Sequence, residues 1–252
     1  MITDPSTQHV PYTARGAAPF ASAPPRDAQY KWVYVWQWPI RAMHWFAAFA
    51  IVVLAITGFY IGRPYFTLPT DEGQQSPFIM GYMRLAHFIA AGVLVATAVV
   101  RIYWLFAGNK FERLPALFPV RPRDFRNLIR MVKFYLFIGK DATHPPHYLG
   151  HHPMQQLSYT LVYLVAALMV VTGFALYGGA NPGGTIYTMF NWVNTTLGGA
   201  QITRVIHHVA TWFFLIFIPL HIYLATRADV VEKEGSVSSI ISGGRFVRAD
   251  ET

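Results

Sequence analysis

Four stretches of this chain are apolar for long enough to cross a lipid bilayer: approximately 42–62 (AMHWFAAFAIVVLAITGFYIG), 82–106, 157–177 and 206–226. A helix needs roughly 20 predominantly apolar residues to cross the hydrocarbon layer. One such run can be a buried helix of a soluble domain, but four of them in 252 residues point to an integral membrane protein. The expected fold class is therefore an all-α integral membrane protein: a four-transmembrane-helix bundle with an additional cytoplasmic interfacial helix.

The net charge of +8 invites a nucleic-acid reading, so the placement of the charge matters. Lys and Arg are nearly absent between the first two spans (Arg63, Arg84) and between the last two (Arg204). The segment 107–156 carries Lys110, Arg113, Arg121, Arg123, Arg126, Arg130, Lys133 and Lys140, with Arg101 at its edge. Positive loops stay on the cytoplasmic side. This loop and both termini are thus expected in the cytoplasm, in a multi-pass protein of the bacterial cytoplasmic (inner) membrane. The charge reads as topology and as contact with membrane lipid, and no nucleic acid is needed to explain it. There is no cysteine, which excludes disulfides, cysteine-ligated iron–sulfur clusters and covalently attached c-type haem.

Residues 1–30, rich in Pro, Ala, Ser and Thr, read as a flexible cytoplasmic tail without the apolar core of a secretory signal. Residues 31–230 form the transmembrane domain and 231–252 a cytoplasmic C-terminal tail. Within the basic loop, RPRDFRNLIRMVKFYLFIGK places Phe125, Leu128, Ile129, Val132 and Leu136 at helical spacing between basic residues. That pattern suits an interfacial helix lying on anionic headgroups. The external segment 178–205 is glycine-rich and aromatic, and is expected as a loop suited to a protein contact or an interfacial belt. Spans one and three share a T-G-F element near their outer ends, Thr57-Gly58-Phe59 and Thr172-Gly173-Phe174. Small residues there admit a neighbouring helix or a flat cofactor, and helix packing alone explains them equally well.

Five of the ten histidines lie inside spans: His44, His87, His207, His208 and His221. Ionisable side chains at membrane depth are expensive and mark function by default. His207 and His221 are fourteen residues apart, which returns to within roughly 40° of one helix face with an axial offset of about 21 Å. His208 faces elsewhere. By topology His44 shares the inner depth of His221, and His87 shares the outer depth of His207. Two imidazoles at one depth on facing helices suit a six-coordinate haem iron, whereas tetrahedral zinc wants more ligands nearby. The expectation is two b haems, the outer held by His87 and His207 and the inner by His44 and His221. No Asp or Glu lies within the spans to make a proton relay instead.

Arg41, Arg84 and Arg204 each precede one of these histidines by three residues, on the same helix face. They are candidate partners for haem propionates, although an arginine at a membrane edge also simply snorkels. The cluster THPPHYLGHHP, with His144, His147, His151 and His152, is a metal site by composition or a polar linker whose prolines break helical spacing. Pro219, two residues before His221, is a candidate kink.

On these residues the chain resembles the cytochrome b subunit of membrane-bound nickel–iron uptake hydrogenases. The resemblance runs from about Tyr34 to Val247 and is carried by PIRAMHW, VVLAITGFYIG, MGYMRLAHF, VRIYWLFAGN, YLGHHP, VTGFALYG, RVIHHVATWFFLIFIPLHIY and SGGRF. The wider superfamily includes the gamma subunit of membrane formate dehydrogenases. YLGHHP departs from the more usual G-H-N-P. The resemblance implies that His44, His87, His207 and His221 are axial ligands. It also implies an iron–sulfur small subunit and a nickel–iron large subunit on the outer face. Electrons would then pass through both haems to a quinone, and the chain itself would carry no catalytic residue. Asn109 and His151, at the inner depth, are the candidate quinone contacts. The competing readings are a stand-alone diheme quinone oxidoreductase, a subunit of a formate dehydrogenase-like complex, and a transporter with histidines on its path.

Overall fold

The computed structural model describes residues 9–11, 29–66, 77–118, 153–230 and 235–248, and within 119–152 only the positions 125, 126, 128, 129, 132 and 133. In chain order the elements are β1 (His9–Pro11), β2 (Gln29–Tyr34), α1 (Trp38–Gly62), α2 (Pro77–Ala107), α3 (Leu114–Leu117), α4 (Pro153–Gly178), α5 (Thr185–Leu197), α6 (Ala200–Val230), α7 (Ser236–Ser242) and β3 (Gly244–Arg248). Helices α1, α2, α4 and α6 are each long and apolar enough to cross a membrane. Each contains an expected span and overruns it by a few residues, because polar and aromatic ends continue a helix that apolar content alone does not delimit. Proline opens α2 and α4, where its missing N–H would have had no partner in any case.

These helices turn large apolar side chains outward. Phe49 is 72% exposed and Ile216 69%, and Trp45, Phe46, Ile56, Leu164 and Val209 are exposed as well. A water-soluble surface does not carry this much contiguous apolar area. Hydrocarbon is the solvent that suits it.

The chain divides into two compact units, one of residues 42–220 and one that joins 1–41 to 221–252. In the second unit the strands form an antiparallel sheet of order β1-β2-β3, with His9 opposite Lys31 and Tyr34 opposite Gly244. The Val35 and Trp36 amides both donate to the Gly243 carbonyl, at 2.8 and 2.9 Å. The Trp36 indole donates to Ser239 Oγ at 3.1 Å, and the Arg41 guanidinium donates to the Ile241 carbonyl. Gly243 sits at φ 95°, in the left-handed region, with the Tyr34 ring where a Cβ would go; only glycine meets both conditions. The residues SGGRF thus close a small folded module. The C-terminal segment, expected as a tail, is a helix and a strand over 236–248. Its apolar residues are too few to announce a core from sequence, and its stability comes from pairing with a strand far away in the chain.

In the first unit α5 packs along the end of α4. The Asn194 side-chain amide donates to the Ala175 carbonyl at 3.1 Å, and the Phe174 and Phe190 rings stack at 5.0 Å. Gly178 lets the backbone at Tyr187 approach so closely that a Cβ there would collide. The segment 178–205 is therefore not simply a loop. It holds a helix whose Phe190 and Asn194 meet α4 and whose Val193 is buried, while Met189 and Trp192 stay exposed. Beyond α2, the fully buried Glu112 takes hydrogen bonds from the Trp104 indole and the Asn109 amide, both at 3.2 Å. This turn is tied to α4 by Gln156, which donates to the Ala116 carbonyl at 2.9 Å. Of the expected interfacial helix, Phe125, Leu128, Ile129 and Val132 are helical; Leu136 and the rest of that segment lie outside the described residues.

Candidate functional site

Helix α1 presents Thr57 and helix α4 presents Thr172, both buried. A threonine in an apolar helix satisfies its hydroxyl by donating back to the preceding turn. Thr57 Oγ1 donates to the Val53 carbonyl at 2.7 Å, and Thr172 Oγ1 to the Leu168 carbonyl at 2.6 Å. Each hydroxyl has one proton and has now committed it, so its remaining capacity is as an acceptor. Against these lone pairs lie two histidines. Thr57 Oγ1 is 2.9 Å from His87 Nδ1 on α2, and Thr172 Oγ1 is 2.8 Å from His207 Nδ1 on α6.

This arrangement assigns the tautomer. With the threonine proton turned to a carbonyl, the proton shared with the ring must be the imidazole's own, on Nδ1. In the neutral ring a proton on Nδ1 leaves Nε2 unprotonated, the form in which imidazole binds a metal.

The glycine after each threonine makes room for the ring. A Cβ at Gly58 would stand 3.4 Å from His87 Cε1, and one at Gly173 would stand 3.3 Å from His207 Cε1. The two half-sites are thus copies: a T-G pair on one helix, a histidine on the next, the same bond and the same contact. The third residue of each element diverges in role. Phe174 stacks on Phe190, whereas Phe59 meets the edges of His208 (5.0 Å) and Trp212 (5.5 Å). His208, lying over Gly62, is held apart from the pair, as its position on the helix predicted.

Among the described residues no group of three or more His, Asp or Glu side chains could hold a metal ion. Two imidazoles with free Nε2 atoms in apolar surroundings do fit a haem, whose porphyrin supplies the other four ligands. The remaining sequence candidates stand as follows. His44 is half-buried, with its ring edge-on to Trp45 at 5.1 Å. His221 is exposed and falls in the other compact unit. Arg41 is engaged with the Ile241 carbonyl, Arg204 with the Gln201 side chain, and Arg84 is exposed. Asn109 Oδ1 accepts from the Phe111 amide at 2.8 Å. His151 and the rest of the 144–152 cluster lie outside the described residues.

The family model for prokaryotic cytochrome b561 matches residues 35–243. The chain belongs to this family. As a prokaryotic cytochrome b561 it is similar to a Cupriavidus necator protein named "Probable Ni/Fe-hydrogenase B-type cytochrome subunit", with 39% identity over 85% of this chain and 87% of the relative. A Rhodobacter capsulatus protein of the same name is 36% identical over 86% of this chain and 83% of its own length. The Escherichia coli K12 "Probable Ni/Fe-hydrogenase 1 B-type cytochrome subunit" is 32% identical over 84% and 90%. Membership of a cytochrome b family, four membrane-crossing helices and a haem-compatible pair of histidines agree with one another. What sequence reading passed over in this cytochrome was the role of Thr57 and Thr172. The signal was in view, as the repeated T-G-F.

Proposed function

We propose that the chain is the diheme membrane subunit of a nickel–iron hydrogenase, passing electrons from an iron–sulfur partner on the outer face to a membrane quinone. The observation that carries this reading is the twin Thr–His arrangement, a histidine ring bonded to a threonine hydroxyl of another helix in both places; it supports the two imidazoles as a pair that offers Nε2 to one iron. Relatives named as hydrogenase cytochrome subunits along nearly their whole length support the partner. Bound b haem supplies one-electron transfer. The chain's own residues orient the axial rings, exclude water from them with apolar helices, and keep the Nδ1 protons in place.

In this reading His87 and His207 hold the outer haem, and His44 and His221 hold an inner one. Arg41, Arg84 and Arg204 stand at the ends of the same helices, within a turn of the ligands, as propionate partners. Asn109 and His151 stand on the cytoplasmic side, where the quinone is reduced. Both termini and the basic loop are cytoplasmic, following the positive-inside rule.

The test is the haem content and company of the purified protein. Expected are b-type Soret and alpha bands, about two haems per chain, and copurification with an iron–sulfur and a nickel–iron subunit. A haem-free preparation refutes the reading. Full haem without those partners favours a stand-alone quinone oxidoreductase instead.

A further inference from the structure

We infer that Thr57 and Thr172 are positioning residues that lower the reduction potential of the outer haem, acting through the Nδ1 protons of His87 and His207. This rests on the assignment of those two histidines as axial ligands and goes beyond it. Three observations carry it. Each hydroxyl is 2.8–2.9 Å from a ring nitrogen. Each spends its own proton on the carbonyl four residues earlier, at 2.6–2.7 Å. And the arrangement occurs twice, at His87 and at His207, from unrelated stretches of chain.

The physical effect follows from the direction of the chain of bonds, N–H to Oγ and O–H to carbonyl. Donating to the carbonyl polarises the hydroxyl oxygen and makes it a stronger acceptor. A stronger acceptor draws the Nδ1 proton outward and raises the basicity of the ring. A more basic imidazole favours ferric over ferrous iron, so the one-electron potential falls. No proton leaves the ring in this scheme: the iron changes oxidation state by one electron and the Nδ1 proton stays between nitrogen and oxygen. Both bonds act on the iron in the same direction, so losing both moves the potential further than losing either one.

The test uses the haem-loaded complex and five variants: Thr57→Val, Thr172→Val, the two valines together, Thr57→Ser and Thr172→Ser. Valine matches threonine in shape and lacks only the hydroxyl; serine keeps the hydroxyl and lacks the methyl. Potentiometric titration followed at the alpha band is the readout, with ferric low-spin spectra as a second. Each valine variant is expected to shift the ferric-to-ferrous equilibrium about tenfold towards ferrous, a rise of about 59 mV for one electron. The double valine variant should rise further than either single one, and each serine variant should return towards the parent. Loss of the outer haem from the valine variants with retention in the serine variants also supports the role, since only the hydroxyl separates the two in polar chemistry. Valine variants that keep the haem at the parental potential overturn it, as do serine variants that behave like valine. If His87→Ala leaves the outer haem in place, the ligand assignment has failed, a result separate from any threonine outcome.

Discussion

Replacing Gly173 by alanine tests whether the site is built around a ring pressed against bare backbone. A Cβ there would lie 3.3 Å from His207 Cε1, closer than ordinary van der Waals contact, so the imidazole has to give by a few tenths of an ångström. That displacement acts on a hydrogen bond of 2.8 Å to Thr172, whose net worth is about 1 kcal/mol. It also turns Nε2 away from its aim, and disturbing such supporting contacts typically costs 10–100-fold in metal affinity, or about 1.4–2.8 kcal/mol. Against this, alanine in a helix interior gains about 1 kcal/mol over glycine. The two terms separate cleanly by assay. The fold of Gly173→Ala should be no weaker than the parent's, while its outer haem dissociates at least about tenfold more readily. Gly92 on α2 provides the control, because a Cβ there meets nothing within 4 Å: Gly92→Ala should keep both haems. Haem retention would be followed by pyridine haemochrome content during graded washing with apomyoglobin as acceptor. If the Gly173 and Gly92 variants lose haem alike, the close approach of ring to backbone has no bearing on the cofactor.

Other substitutions probe separate parts of the chain. His87→Ala and His207→Ala should each abolish the same haem spectrum, leaving the other intact, whereas His208→Ala should keep both; loss of different haems from the first two would disprove the pairing. Glu112→Ala removes a buried acceptor from the Trp104 indole and the Asn109 amide. At ~1.5–3 kcal/mol for each bond to a charged group, thermal unfolding in detergent should show a loss of about 3–6 kcal/mol, and a change below about 1 kcal/mol would contradict the burial. Gly243→Ala forces a side chain into the left-handed region against the Tyr34 ring, at about 1–3 kcal/mol of backbone strain. Limited proteolysis should then cut near residues 235–248 faster than in the parent, and an unchanged cleavage rate would count against the described turn.

The four spans were legible because hydrocarbon imposes a length and a composition that sequence displays directly. The contrary directions of His207, which meets Thr172, and His208, which meets Phe59, were legible for a similar reason: helical periodicity fixes which residues of one helix share a face. The partners of those histidines were not. Thr57 and His87 are 30 residues apart and Thr172 and His207 are 35 apart, on different helices, and periodicity does not say which residue across an interface meets which. T-G-F was visible as a repeat, yet small residues at a helix contact have a sufficient explanation in packing, and only the bond lengths separate the two. Helix α5 was hidden by its composition. Threonine and asparagine are weak helix formers and glycines flank it on both sides, which outweighed the spacing of Ile186, Phe190, Val193 and Leu197.

The sheet that joins the chain's two ends also has a timetable. Trp36 waits for Ser239 across 203 residues of sequence, and at bacterial synthesis rates of roughly 5–20 residues per second this is a delay of about 10–40 s. Throughout that interval the side of β2 that will receive β3 is an open edge, bearing Trp32, Val33 and Tyr34, while the membrane helices are being threaded into the bilayer. A nascent chain stalled before Gly243 would keep that edge open indefinitely. The small sheet therefore closes only after residues 244–248 have been made, and until then β2 has a partner on one side alone.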